Sequence, residues 1–289
     1  MNKEFQFSFS REAMLKRCPR EYFLHTVYAY GAYDVESADK ARNHVHLLKQ
    51  LKSRVGFKEA LMEKCLRRIF IDGTDIKDLK SSLEVAFLKS QSNMIFGAYE
   101  KDHLRNPVLK PFYYNEENIG QMFHELHEEL MFMVDELLAN DLFLNLFHQD
   151  RLNFYPLTDV SYVYIGRIKV YFPLCGIIKM DGCYYNISFC RSEEFYNTAA
   201  VLNILYDFAE LHVSPDRVRH VFLSSEKPFH YLQNNYDLNI SQTMNDIAER
   251  SAQHHFNCRN LLNSKNPMQI KTSDNDDICK QCRFFEFCK

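Results

Sequence analysis

Four cysteines constrain most strongly what this chain can fold into. Cys18 lies near the start, in the run RCPREYF, and Cys279, Cys282 and Cys288 lie near the end in the pattern Cys-x2-Cys-x5-Cys. Three clustered thiolates and one remote thiolate match a cuboidal iron–sulfur cluster, in which each iron takes one cysteine. A tetrahedral zinc site takes the same four ligands, so the count of cysteines leaves the metal open. Either metal would join the two ends of the chain and stabilise the fold.

The total number of cysteines favours a metal over disulfides. The chain has nine cysteines in 289 residues, and its first residues, MNKEFQFSFSR, lack the apolar segment of a secretion signal. An odd count without such a signal indicates a reducing compartment, where clustered cysteines bind metals. We therefore predict a cytoplasmic protein with a metal centre.

The bulk composition is that of a globular protein. Apolar residues make up 46% of the chain, with 24 Phe and 17 Tyr, and no apolar run is long enough to predict a membrane span. The formal net charge is −3, which gives no general attraction to nucleic acid. Any DNA path must therefore be a local basic groove.

The hydrophobic pattern changes along the chain. Between 38 and about 150 the apolar residues recur at helical spacing, as in FKEALMEKCLRRIF, whereas short segments rich in β-branched and aromatic residues follow. Ser10 is placed to cap a first helix, which the Cys18-Pro19 step interrupts. We divide the chain into four parts: an N-terminal ligand segment (1–37), a helical insertion (38–151), an α/β core (152–238) and a C-terminal helix with the cysteine-rich tail (239–289).

Two consecutive strands of the α/β core are predicted to form a hairpin. The segments CGIIKM and CYYNISFC flank Asp181-Gly182, which is a two-residue turn signal. A helix (TAAVLNILYDFAELH) and a further strand (RVRHVFLSS) follow. This order predicts an α/β fold with a mixed sheet and flanking helices.

With these elements the chain resembles the RecB/AddB-like iron–sulfur branch of the PD-(D/E)XK nucleases, which is related to the CRISPR adaptation nucleases. The resemblance covers nearly the whole length and rests on FSFSREAMLKRCPREYF, on the hairpin and helix of 168–213, and on the cysteine tail. It implies a PD-(D/E)XK-like core with a large helical insertion. It also implies a 4Fe-4S cluster, bound by the four cysteines, that holds the chain ends together beside a DNA path.

The catalytic positions implied by the resemblance have lost their chemistry. Such nucleases hold a divalent metal with an Asp on the first hairpin strand and an acid on the second, where a Lys supplies further positive charge. Here Ser188 stands at the acid position and Cys190 at the lysine position. Either Cys175 or Lys179 stands at the Asp position, depending on the register. A His of an early helix is replaced by Met62.

A site without carboxylates cannot hold a hard cation such as Mg²⁺, so we predict a catalytically inactive nuclease-like fold. The alternative is a metal-dependent DNA exonuclease whose acids have moved, with Glu193 or Glu194 reaching the metal. The simpler interpretation of these residues is that Asp181 forms the turn and the two glutamates begin a helix.

Two kinds of partner remain open for an inactive fold. Lys16, Arg17, Arg20 and Arg283 lie beside the cysteines and close to aromatic residues, where they could contact a DNA single strand or end. The same aromatic residues could instead pack over the cluster. The helical insertion is large enough to bind a protein partner in a nucleic-acid-processing or defence assembly.

Overall fold

The computed structural model describes residues 6–29, 39–102, 105–157, 160–190, 193–232, 238–264 and 266–288. The protein is an α/β protein in which two β-sheets lie among α-helices. Within the described residues, no helix combines the length and the apolar character that crossing a membrane requires.

The N-terminal segment consists of a short strand and two helices. β1 spans Gln6–Phe7, α1 spans Phe9–Arg17 and α2 spans Pro19–Phe23, followed by a π-helical turn over Leu24–Tyr28. The side chain of Ser8 accepts a hydrogen bond from the backbone of Arg11 and caps α1. The prediction that Ser10 is the cap was wrong, because the helix begins one residue before it.

Seven helices follow before the main run of strands. They are α3 (Lys40–Gln50), α4 (Arg54–Asp72), α5 (Leu79–Ile95), α6 (Ala98–Lys101), α7 (Lys110–Tyr113), α8 (Ile119–Leu138) and α9 (Asp141–Phe147). Helices α4, α5 and α8 pack against one another. Their apolar residues recur every three or four positions and form the centre of the largest buried cluster.

The remaining strands and helices complete two sheets. The strands are β2 (Phe154–Pro156), β3 (Tyr162–Ile165), β4 (Ile168–Tyr171), β5 (Gly176–Met180), β6 (Cys183–Phe189), β7 (Val218–Leu223) and β8 (His230–Leu232). The helices are α10 (Tyr196–Leu211), α11 (Ile240–Leu262), α12 (Asp276–Gln281) and α13 (Phe285–Cys288). The larger sheet has the order β2-β5-β6-β7-β8, and the smaller sheet has the order β1-β4-β3.

The larger sheet is mixed, as the sequence predicts. Its pairs are antiparallel except β6 and β7, which run parallel and are connected through α10. The predicted hairpin is confirmed: Gly176 lies opposite Ile187 and Met180 opposite Cys183. Asp181 and Gly182 form the turn with φ of 50° and 76°, the left-handed conformation that a two-residue hairpin turn requires.

Helices cover both faces of the larger sheet. On one face Phe70 of α4 lies so close to Gly176 that a Cβ atom at that position would be 2.5 Å from the ring. On the other face Leu202 of α10 shares an apolar cluster with Ile177, and Ala200 shares one with Phe222. Residues of β5 and β6 are therefore buried on both sides, which explains why CGIIKM and CYYNISFC are largely apolar.

Candidate metal centre

The four cysteines named from the sequence lie around one small, mostly apolar cavity. Cys18 comes from the N-terminal segment, and Cys279, Cys282 and Cys288 come from the tail. Glu21, Thr272, Ile278 and Phe285 complete the lining of the cavity. The fold thus brings together, at one point, thiols from the two ends of the sequence.

The Cys-Pro step positions the first thiol. Because proline disfavours a helical conformation in the residue before it, Cys18 is extended, with φ −157° and ψ 109°, and separates α1 from α2. Its sulfur accepts a hydrogen bond from the backbone of Glu21 at 3.4 Å and so caps α2. The side chain is nearly buried, with 6% exposed.

Short helices position the three thiols of the tail. Cys279 lies within α12, Cys282 ends that helix, and Cys288 ends α13. The sulfur of Cys282 accepts a hydrogen bond from the backbone of Phe284 at 3.4 Å. Phe284 itself is fully buried in the largest apolar cluster, so it anchors the tail to the core of the protein.

Two arginines fasten the tail to the rest of the fold. The guanidinium of Arg20 donates to the carbonyl oxygens of Ile270 at 2.8 Å and Met268 at 3.1 Å. The guanidinium of Arg283 donates to the carbonyl oxygens of Lys49 at 2.9 Å and Leu51 at 3.1 Å. These bonds hold the tail against α2 on one side and against the end of α3 on the other.

The surroundings of the three thiols of the tail favour their neutral form. Burial, together with the nearby carboxylate of Glu21, raises the pKa of Cys282 to about 12. Burial also raises the pKa of Cys288 and of Cys279, and the Arg20 guanidinium partly opposes the rise at Cys288. Thiolates are therefore unfavourable in this cavity unless a cation balances their charge, which is what a bound metal does.

The donor set suits a thiolate-binding metal, although the side chains are not arranged around a single ion. In the described part of the chain, no group of three or more His, Cys, Asp or Glu side chains has the arrangement that holds a metal ion. The four cysteines nevertheless share one cavity. Protonated thiols gain nothing from the close approach that a bound metal imposes, so the open arrangement of the four side chains is compatible with a metal site.

The positions that the resemblance assigns to catalysis lie in α4 and on both faces of the larger sheet. Met62 is fully buried within α4. Cys175 lies toward α4 near Glu63, and burial raises its pKa to about 12. Ser188 lies on the opposite face and accepts a hydrogen bond from Asn203 at 3.4 Å.

The other two positions carry no acid–base pair either. Cys190 is 8% exposed and packs with Tyr196 and Phe222. Lys179 lies at the edge of the hairpin with its amino group 5.8 Å from the ring centre of Tyr184. Cys190 is therefore a packed, buried side chain, whereas Lys179 is partly exposed beside Tyr184.

The acids considered as replacements lie at the surface. Glu193 is in a short 3-10 helix before α10 and accepts a hydrogen bond from Lys227 at 3.0 Å. This ion pair lowers the pKa of Glu193. Glu194 is exposed in the same turn, and Asp181 occupies the hairpin turn.

The four cations named as DNA contacts are all engaged within the protein. Lys16 pairs with Glu12 at 2.7 Å, and Arg17 pairs with Glu21 at 2.5 Å. Arg20 and Arg283 bind the carbonyl oxygens described above. Arg20 and Arg283 hold the tail in place, whereas the ion pairs of Lys16 and Arg17 lie within the N-terminal segment.

A buried polar network lies beneath α10, and the motifs discussed in the sequence analysis do not include it. Asn186 of β6 donates to Asp207 at 2.6 Å, and Asn203 lies 3.4 Å from both Ser188 and His220. Burial raises the pKa of Asp207 to about 7. A signal for it does exist in the sequence: Asn186 interrupts an apolar strand, and Asn203 and Asp207 stand one turn apart in an apolar helix.

Comparison with protein-family models, with curated proteins and with solved structures finds no match for this chain.

Proposed function

We propose that this protein is an iron–sulfur protein with a PD-(D/E)XK-like core that has lost catalysis and serves as a DNA-binding or assembly subunit of a nucleic-acid-processing or defence complex. One observation carries the proposal: four cysteines from the two ends of the chain line a single cavity. Cys18, Cys279, Cys282 and Cys288 would bind a 4Fe-4S cluster, and zinc is the alternative metal.

The cluster would have a structural role. When bound, it supplies positive charge that stabilises the four thiolates, and it links α2 to the tail. Arg20, Arg283 and the buried Phe284 already position the tail without it. The protein's own contacts would therefore place the ligands, and the cluster would lock the two ends together.

Two observations support the nuclease-like core. The larger sheet contains a hairpin, β5 and β6, followed by α10 and by β7 parallel to β6. That is the order of elements that the resemblance implies. The substituted catalytic positions lie within this part of the fold, apart from Met62 in α4.

The loss of catalysis follows from the side chains at those positions. Ser188 and Cys175 are buried and offer no carboxylate, and hard divalent cations are bound mainly through carboxylate oxygens. Glu193 is held by Lys227 at the surface. The residues described here therefore favour a binding or assembly role over phosphodiester hydrolysis.

The test is a cleavage assay on anaerobically purified protein. End-labelled single- and double-stranded DNA is incubated with Mn²⁺ and resolved on a denaturing gel, with Glu193→Ala/Glu194→Ala as the comparison variant. We expect no cleavage by either protein while the cluster remains intact. Cleavage by the wild type that the variant loses would instead establish a metal-dependent exonuclease with relocated acids.

A further inference from the structure

A large basic groove lies on the helical part of the protein. It runs between one face of α4 and one face of α5, and 102 with 105–107, which we call the closing segment, lie at one end. Its volume is about 1070 Å³. This is at the upper limit of the roughly 300–1,000 Å³ of small-molecule pockets, so the groove has room for more than one small ligand unit.

Four cations line the groove, against one acid. Lys64 and Arg68 stand one turn apart on α4, Lys89 lies across from them on α5, and Arg105 lies in the closing segment. Asp102 is 3.6 Å from Arg105. Within the described residues, Lys64, Arg68 and Lys89 form no ion pair with the protein. Their charge is therefore available to a ligand, unlike that of the arginines beside the cysteines.

The floor of the groove is apolar, and a hydrogen bond between side chains fixes its end. Leu61 and Cys65 are buried beneath it, and Val85 lies exposed along its side. At its end the side-chain amide of Asn93 on α5 donates to Asn106 at 2.7 Å, which ties the closing segment to the helix. The groove thus combines a basic rim with a preformed apolar surface.

We propose that this groove binds single-stranded nucleic acid, with phosphates on Lys64, Arg68 and Lys89 and bases against the apolar floor. Unpaired bases expose apolar faces that can contact such a floor, whereas a duplex offers mainly its phosphates. A polyanion also suits several unpaired cations spread along a groove better than one small anion does. The inference rests on the proposed function, because it specifies where a DNA-binding subunit would hold the strand.

The experiment measures fluorescence anisotropy of a labelled thymidylate strand of about twenty nucleotides. The wild type is compared with Lys64→Ser/Arg68→Ser/Lys89→Ser. The matched control, Lys40→Ser/Arg167→Ser/Arg259→Ser, removes three exposed cations outside the groove. Unlabelled duplex DNA and dTTP serve as competitors, and thermal melting with the visible spectrum verifies that each variant is folded and retains its metal.

We expect the groove variant to bind the strand at least about tenfold more weakly at about 50 mM salt. Each phosphate contact in a single strand contributes about 0.7 to the slope of log affinity against log salt, so three lost contacts lower the slope by about 2. The control variant should bind like the wild type, and dTTP and duplex should compete poorly.

Equal weakening in both variants, or equal binding by the groove variant and the wild type, would overturn the inference. Competition by dTTP or by duplex as effective as that of the strand would also overturn it, because the groove would then be a nucleotide site or a duplex site. If the wild type and the groove variant bind the strand equally well, the groove is not the binding site, although the protein still binds DNA. If the wild type binds no strand at all, both the groove and the DNA-binding role fail, and only the assembly role remains.

Discussion

Replacing Asp207 by Asn should change how the stability of the protein depends on pH. Asp207 of α10 is fully buried against β6, and within the described part of the chain its side chain accepts one hydrogen bond, from Asn186. Burial raises its pKa from the ordinary value of 3.8 to about 7. In the folded protein the carboxyl therefore keeps its proton over a pH range in which the unfolded chain has already released it.

The sign and size of the effect follow from that difference. Below about pH 4 the carboxyl of Asp207 is protonated in both the folded and the unfolded protein, so it does not lower the stability there. Stability is lost as the pH rises from about 4 to about 7, where only the unfolded chain releases the proton. A difference between 3.8 and about 7, at about 1.4 kcal/mol per pH unit, corresponds to at most about 4 kcal/mol. Asparagine is close in shape to the protonated acid and cannot ionise, so it avoids this loss.

The assay is urea denaturation of the wild type and Asp207→Asn at several pH values between about 4 and 8. We expect similar stability near pH 4 and a more stable variant at pH 8, by up to about 4 kcal/mol. Asp246→Asn, at an exposed position in α11, should show no comparable change. A variant that is less stable than the wild type at pH 8, or a difference that stays constant from pH 4 to pH 8, would refute the reasoning.

Two further substitutions test the packing and the metal centre. Cys18→Ser should lower the metal content and make the tail accessible to proteases, which metal analysis and limited proteolysis would measure. Cys183→Ser is the control and should leave both properties unchanged. Equal metal content in the two variants would argue against the ligand assignment. Gly176→Ala should lower the free energy of unfolding by about 1–3 kcal/mol, measured by urea denaturation, because the new Cβ would be 2.5 Å from the ring of Phe70. Gly120→Ala, whose Cβ has only Asn118 nearby at 3.5 Å, serves as its control, and an unchanged stability of Gly176→Ala would contradict the close packing.

Local signals in the sequence were sufficient for part of the fold. The Asp181-Gly182 turn, its two strands and the helix that follows are encoded by neighbouring residues, and the structure has them where the pattern predicts. The pairing of β1 with β4 joins Gln6 to Lys169, and no local pattern encodes a contact over that distance. The choice of Ser8 over Ser10 as helix cap likewise depends on where this short strand ends.

The four cysteines of the candidate site were predictable from the sequence, but their surroundings were not. The spacing of the cysteines identified four residues that the structure gathers around one cavity. The partners of Arg20 and Arg283 are backbone oxygens of Ile270 and Lys49, far away in sequence. In the sequence, Arg20 and Arg283 lie close to aromatic residues, a pattern that is typical of a DNA contact. In the structure the two arginines hold the tail. The cations of the groove were missed because two separate helices supply them.

The most direct test of the central claim is the iron, acid-labile sulfide and zinc content of the anaerobically purified protein. We expect about four irons and about four sulfides per chain, with little zinc. The visible absorption should disappear in the Cys18→Ser variant. One zinc per chain would contradict the iron–sulfur assignment while keeping the four ligands, and a metal-free folded protein would contradict the metal centre altogether.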